Sequence, residues 1–156
     1  MAAAGLLAIV VSTAVAGATA AQQPPGVRAG SAATRPPVIH EPFTLLPCDK
    51  STTIGMEGCY EHQIVAADHR IDRETAVIFG LLGTESARRQ LAGAESAWLA
   101  YRAADCTNQS DAYEGGSEAP VAYAACLVRA DRARTADLKT FYGALAQGRS
   151  DVPAFP

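Results

Sequence analysis

The residues of this chain that could do chemistry are few, and their spacing sorts them. Cys48, Cys59, Cys106 and Cys126 form an even set, with no short Cys-x-x-Cys pair and no histidine beside a cysteine, which argues for disulfides over a zinc site. Three connectivities are open to four cysteines. Local sequence favours Cys48 with Cys59 and Cys106 with Cys126, each closing a short loop at the edge of a predicted helix. No thiol is then left as a nucleophile, and no Ser, His and Asp arrangement is evident. His62 and His69 stand roughly 10 Å apart along a helix axis, too far to chelate one metal ion, and His40 lies in a Pro-rich stretch. Asp68 and Asp72 share a helical face, but that spacing is common and gives an acid and base pair little support. The chain is read as a non-enzyme with no cofactor and no metal.

A second group of residues suits binding. Asp105, Asp111, Glu114 and Glu118 fall within one segment that has no basic residue and also carries Tyr113, Gly115, Gly116 and Ser117. A cationic protein partner would be steered towards such a segment, at a rate that falls with added salt. Tyr113 is an amphipathic anchor of the kind interfaces favour. The plainer reading of the same residues is a solvated loop whose polarity keeps the protein soluble.

The elements that must position these residues are helical. Met56, Tyr60, Ile64, Ala67, Ile71, Ile78 and Leu82 recur at helical steps and predict a first helix from Thr53 to Leu82, stopped by Gly83. Thr84 can cap a second helix, whose seam of Ala87, Leu91, Ala94, Trp98 and Tyr101 runs to about Cys106. The periodicity vanishes from Thr107 to Glu118, a loop by composition. Pro120 suits the first turn of a third helix, which reaches about Ala146 with Ala124, Val128, Leu138, Tyr142 and Leu145 inward. The fold predicted is all-α, a small antiparallel three-helix bundle stapled by two disulfides.

Some side chains on these helices read as structural. Trp98 and Tyr101 lie on the second seam and are expected in or near the core. Arg102 and Arg134 lie beside the seams, and Glu74 lies within the first stripe. Charges so placed need partners, so a network joining Glu74, Asp68 or Asp72 to Arg102 and Arg134 is expected.

The flanking segments point outside the cytoplasm. Residues 1–21 carry no charged side chain and pass from Leu6–Val11 into Ala18-Thr19-Ala20, the pattern of a cleaved signal peptide, although no Lys or Arg opens it. No cysteine follows the small residues, so a lipoprotein is disfavoured and the expected location is secreted or periplasmic, with no stable membrane anchor. Residues 22–47 hold six of the nine prolines and read as a flexible tether, and residues 148–156 as a disordered tail. Residues 48–147 carry ten basic and fourteen acidic side chains, a balance that disfavours nucleic acid and anionic membrane as partners.

Between Ala94 and Leu127 the order Trp98, Tyr101-Arg102, Cys106, Gly115-Gly116-Ser117 and Cys126-Leu127 resembles the bacterial family typified by the N-terminal domain of the lysozyme inhibitor LprI. Met56, Cys59, Ala67-Asp68 and Ile71 resemble that family's first helix, and Arg134 with Leu138 its third, so the resemblance spans about Cys48 to Leu145. Asp72 stands where the family usually has Asn, and Thr75 where it has an aromatic. The resemblance implies a secreted or envelope-attached helical domain that, in some members, inhibits lysozyme by binding it. Many lysozymes are basic, so the acidic segment complements them. Gly115, Gly116 and Ser117 are small enough to enter a glycosidase cleft, but their acidic neighbours would face the two catalytic carboxylates there. The loop would then meet the enzyme's basic rim while another group enters the cleft. The competing function is a non-inhibitory module that binds another component of the cell envelope.

Overall fold

The computed structural model describes residues 35–41 and 44–156. The expected signal segment, and the expected tether before Arg35, lie outside the described residues. Those described form three helices, α1 (Thr53–Leu81), α2 (Glu85–Asp111) and α3 (Ala119–Ala146), and no strand. Among them, no helix is long and apolar enough to cross a membrane.

Each helix starts where its local chemistry allows. The Thr52 hydroxyl accepts a hydrogen bond from Gly55 N at 3.0 Å, and the Thr84 hydroxyl accepts one from Ala87 N at 3.2 Å, satisfying donors a helix start leaves unpaired. Pro120 occupies the first turn of α3. The first helix ends one residue earlier than expected. Leu82 turns extended and buries its side chain in the core, so the break rests on that residue rather than on Gly83, which has an ordinary φ.

The third helix packs against both others. Its upper turns meet Ile64 and Cys106 through Ala124, Leu127 and Val128, and its lower turns meet Ile71, Ile78 and Leu91 through Leu138. Residue numbers in α1 and α3 rise together through these two clusters while those in α2 fall, so α1 and α3 run parallel with α2 antiparallel to both. The disulfides pair Cys48 with Cys59 and Cys106 with Cys126, the pairing that local sequence favours.

The described part of the Pro-rich segment is irregular yet held against α1, and does not stand off as a tether. Ile39 N donates to Asp72 Oδ1 at 3.0 Å, Leu46 N donates to Glu61 Oε2 at 2.7 Å, and Cys48 is bonded to Cys59, so the segment runs antiparallel to the helix. Gly55 and Gly58 permit this approach, because a Cβ at either would lie 2.0 Å from Asp49 O or 2.5 Å from Pro47 O. The expected disordered tail also packs: the Tyr142 hydroxyl donates to Pro153 O, and Phe155 stacks 4.8 Å from the Tyr142 ring over the lower cluster. A left-handed Gly148 makes the turn that sends it back.

Between the two apolar clusters lies a charged layer. Arg102, 4% exposed, binds Asp68 of α1, Asp131 of α3 and Glu41 of the N-terminal segment. Arg134 pairs with Glu95, and the Trp98 ring lies under both guanidinium groups, 5.0 Å from Arg102 and 5.7 Å from Arg134. The expected network is therefore correct in joining Asp68 to Arg102 and wrong in its other pairings. Glu74 turns to Arg70 one turn down its own helix, and Asp72 accepts from the Ile39 backbone. Tyr101 is not core: its side chain is 65% exposed, because Glu95 and Arg102, not Ala94 and Tyr101, face inward from α2.

Candidate partner-binding surface

The acidic segment is built differently from its sequence reading. Nothing in Thr107 to Asp111 forbids helix, and α2 continues through them, so the loop shortens to residues 112–118. Asp105 consequently sits on the helix, half-buried, where it accepts a hydrogen bond from Gln109 Nε2 at 2.9 Å, and Gln109 in turn accepts one from Arg129 of α3. Asp105 is thereby separated from the group it was expected to join. Asp111, Tyr113, Glu114, Gly115, Gly116, Ser117 and Glu118 are contiguous and exposed.

Their backbone is fixed by successive turns. Glu114 N donates to Asp111 O, Gly116 N to Tyr113 O at 2.8 Å, and Ala119 N to Gly116 O at 2.9 Å. The Ser110 hydroxyl donates to Ala119 O at 2.9 Å and ties the two ends of the loop together. Glu114 (φ 49°) and Gly115 (φ 76°) are both left-handed; the conformation suits glycine and strains glutamate by about 1 kcal/mol. The Cys106–Cys126 bridge lies one turn below the end of α2 and braces both helices that carry the loop.

Sequence reasoning missed what lies beside the loop. A groove of about 530 Å³ opens between Gly115-Gly116-Ser117 on one side and Glu57 and Glu61 of α1 on the other. Ile64, Ala124 and Leu127 are among the residues that line it, all at most 3% exposed. Burial lifts the Glu57 carboxyl above the ordinary glutamate range, and the charge of Glu61 lifts it further. The signal available in the sequence was two glutamates one helical turn apart with no basic residue three or four positions from either on that helix.

The surface is exposed, acidic and ordered by turns. Among the described residues, one group clusters as metal ligands would, Asp105 with Cys106 and Cys126, and its two sulfurs are bonded to each other. No curated protein and no solved structure matches the chain. Residues 48–138, more than half of the 156-residue sequence, match the family model described as Lysozyme inhibitor LprI.

Proposed function

Because the chain belongs to the lysozyme inhibitor LprI family, we propose that it is an exported protein inhibitor of lysozyme or a related peptidoglycan-cleaving hydrolase, acting by binding and not by turnover. The observation that carries this reading is the exposed 111–118 surface: three carboxylates and Tyr113 on a backbone fixed by turns and braced by a disulfide. A partner meeting it loses little of its gain to ordering the loop. Acidity of this kind speeds encounter with a basic enzyme. Two disulfides in so small a domain support action in an oxidising compartment, outside the cytoplasm.

In this reading Asp111, Glu114 and Glu118 meet the basic rim of the enzyme and Tyr113 packs at the centre of the contact. Gly115, Gly116 and Ser117 offer small side chains and backbone groups where the two surfaces come closest. The test is lysis of peptidoglycan by a c-type lysozyme, with and without the oxidised protein. Inhibition at micromolar protein is expected. Replacing Asp111 and Glu114 by serine should slow association at low salt and leave the dissociation rate nearly unchanged. Full lysis at that concentration against several lysozyme types would remove the inhibitor reading, and recovery of a different envelope partner would favour the non-inhibitory module.

A further inference from the structure

We infer that the groove between α1 and the 112–118 loop receives an arginine or lysine side chain of a partner protein, its aliphatic stem on the apolar floor and its charged head at Glu57 and Glu61. The inference rests on the reading of the chain as a protein-binding domain and names what the partner must present.

The groove chooses its occupant by the mismatch between its floor and its wall. Pro120 and Tyr123, lying over the buried Ile64, Ala124 and Leu127, offer contact to hydrocarbon, which a purely polar ligand would leave unused. A purely apolar ligand would strip water from Glu57 and Glu61 and give nothing back, which costs more than the contact gains. An anion would add a third negative charge. A long cationic side chain satisfies both halves, because its methylenes lie on the floor and its head meets the carboxylates.

The carboxylates are prepared for such a head. Glu61 is 7% exposed and spends Oε2 on Leu46 N, which fixes its position on the groove wall. Glu57 stands one turn before it, and no Arg, Lys or His of the described residues lines the groove. Two like charges at this spacing repel, and an arriving cation relieves the repulsion. A guanidinium has the further advantage of bonding both at once. The volume exceeds one side chain and leaves space for the backbone that carries it.

The experiment uses amide NMR of the oxidised protein with two probes, N-acetyl-leucyl-arginine amide and the same peptide with citrulline, which keeps the shape and removes the charge. The arginine peptide should bind at millimolar strength, shift amides near Glu57 and from Gly115 to Ser117, and exceed the citrulline peptide by about fivefold. Glu57→Gln should reduce the arginine peptide to the citrulline level. That variant retains the fold, since Glu57 makes no hydrogen bond or ion pair among the described residues and its loss removes repulsion.

Equal binding of the two peptides, shifts centred elsewhere, or no shift up to about 10 mM peptide overturns the inference. The lysozyme assay separates the two readings. Peptide binding without lysozyme inhibition leaves the groove standing and removes the inhibitor function. Inhibition untouched by Glu57→Gln, with no preference for arginine over citrulline, removes the groove alone.

Discussion

Replacing Asp68 by asparagine changes one atom of the charged layer and removes a proton-binding group from the protein interior. Arg102 brings one positive charge to three carboxylates, Asp68, Asp131 and Glu41. Asp68 Oδ2 and Asp131 Oδ2 are buried without a hydrogen-bond partner among the described residues. Burial pushes the Asp68 carboxyl from 3.8 up to about 7; Arg102 pulls against the rise, and the charges of Asp131 and Glu41 add to it. Burial raises Asp131 as well. The native state therefore holds a proton that the unfolded chain releases near pH 4. The stability this contributes is complete below about pH 4, shrinks as pH climbs towards 7, and is gone above it. At 1.36 kcal/mol per pH unit, moving from pH 5 to pH 8 costs the wild type about 2 to 3 kcal/mol through Asp68 alone, on the order of 10 °C in Tm for a domain of this size. Asp68→Asn keeps an oxygen for Arg102 and does not titrate. Urea unfolding at constant ionic strength should give two proteins of similar stability near pH 5, with the variant the more stable near pH 8. Parallel pH profiles for the two proteins, or a wild type that gains stability from pH 5 to pH 8, would refute the reasoning.

Three further outcomes follow from the helix glycines and the staples. Gly58→Ala places a Cβ 2.5 Å from Pro47 O and should destabilise by about 1 to 3 kcal/mol in thermal unfolding, whereas Gly93→Ala, with nothing within 4 Å, should stabilise by about 0.5 to 1 kcal/mol. Removing the Cys106–Cys126 bridge by alanine at both positions should cost roughly 3 kcal/mol in urea unfolding, with amide exchange accelerated first at residues 107–118.

How much was legible in the sequence depended on what each helix buries. The stripe of α1 was readable at Ile64, Ile71 and Ile78 because those residues are apolar and fully buried. The seam of α2 was readable at Ala87, Leu91 and Trp98, which meet the lower cluster, but not at Ala94 and Tyr101, because Glu95 and Arg102 face inward there at 3% and 4% exposure. A search for apolar periodicity excludes charged residues and drifts one position, to Ala94 and Tyr101. The need for an internal network could be anticipated from charges beside the seams, yet partner choice depends on the helical register that packing sets. Glu95 rather than Glu74 therefore answers Arg134. The loop boundary failed for a different reason. A polar run such as Thr107-Asn108-Gln109-Ser110 resembles a loop by composition, but helix continues wherever nothing breaks it, and Gln109 bonding back to Asp105 supports one more turn.

The placement of the two disulfides bears on where binding occurs. Cys106 lies one turn before Ser110 and Cys126 between Ala124 and Leu127, while Cys59 faces a separate pocket with Lys50, Met56 and Tyr60, so both bridges lie at the groove's end of the bundle without lining the groove. The opposite end of the bundle has no bridge and is closed instead by apolar side chains, with Ile39 and Phe155 packed against the lower cluster. That end can rely on burial because its surface is spent on the core. The stapled end carries the groove, where Pro120 and Tyr123 leave apolar surface to solvent above the buried Ile64, Ala124 and Leu127, and where Glu57 makes no ion pair among the described residues, an arrangement that burial alone does not stabilise. Covalent bracing there offsets the packing that an open groove gives up and steadies each wall separately, Cys48–Cys59 tying the N-terminal segment to α1 and Cys106–Cys126 tying α2 to α3. In the proposed reading a partner covers the stapled end, and the opposite end serves the fold.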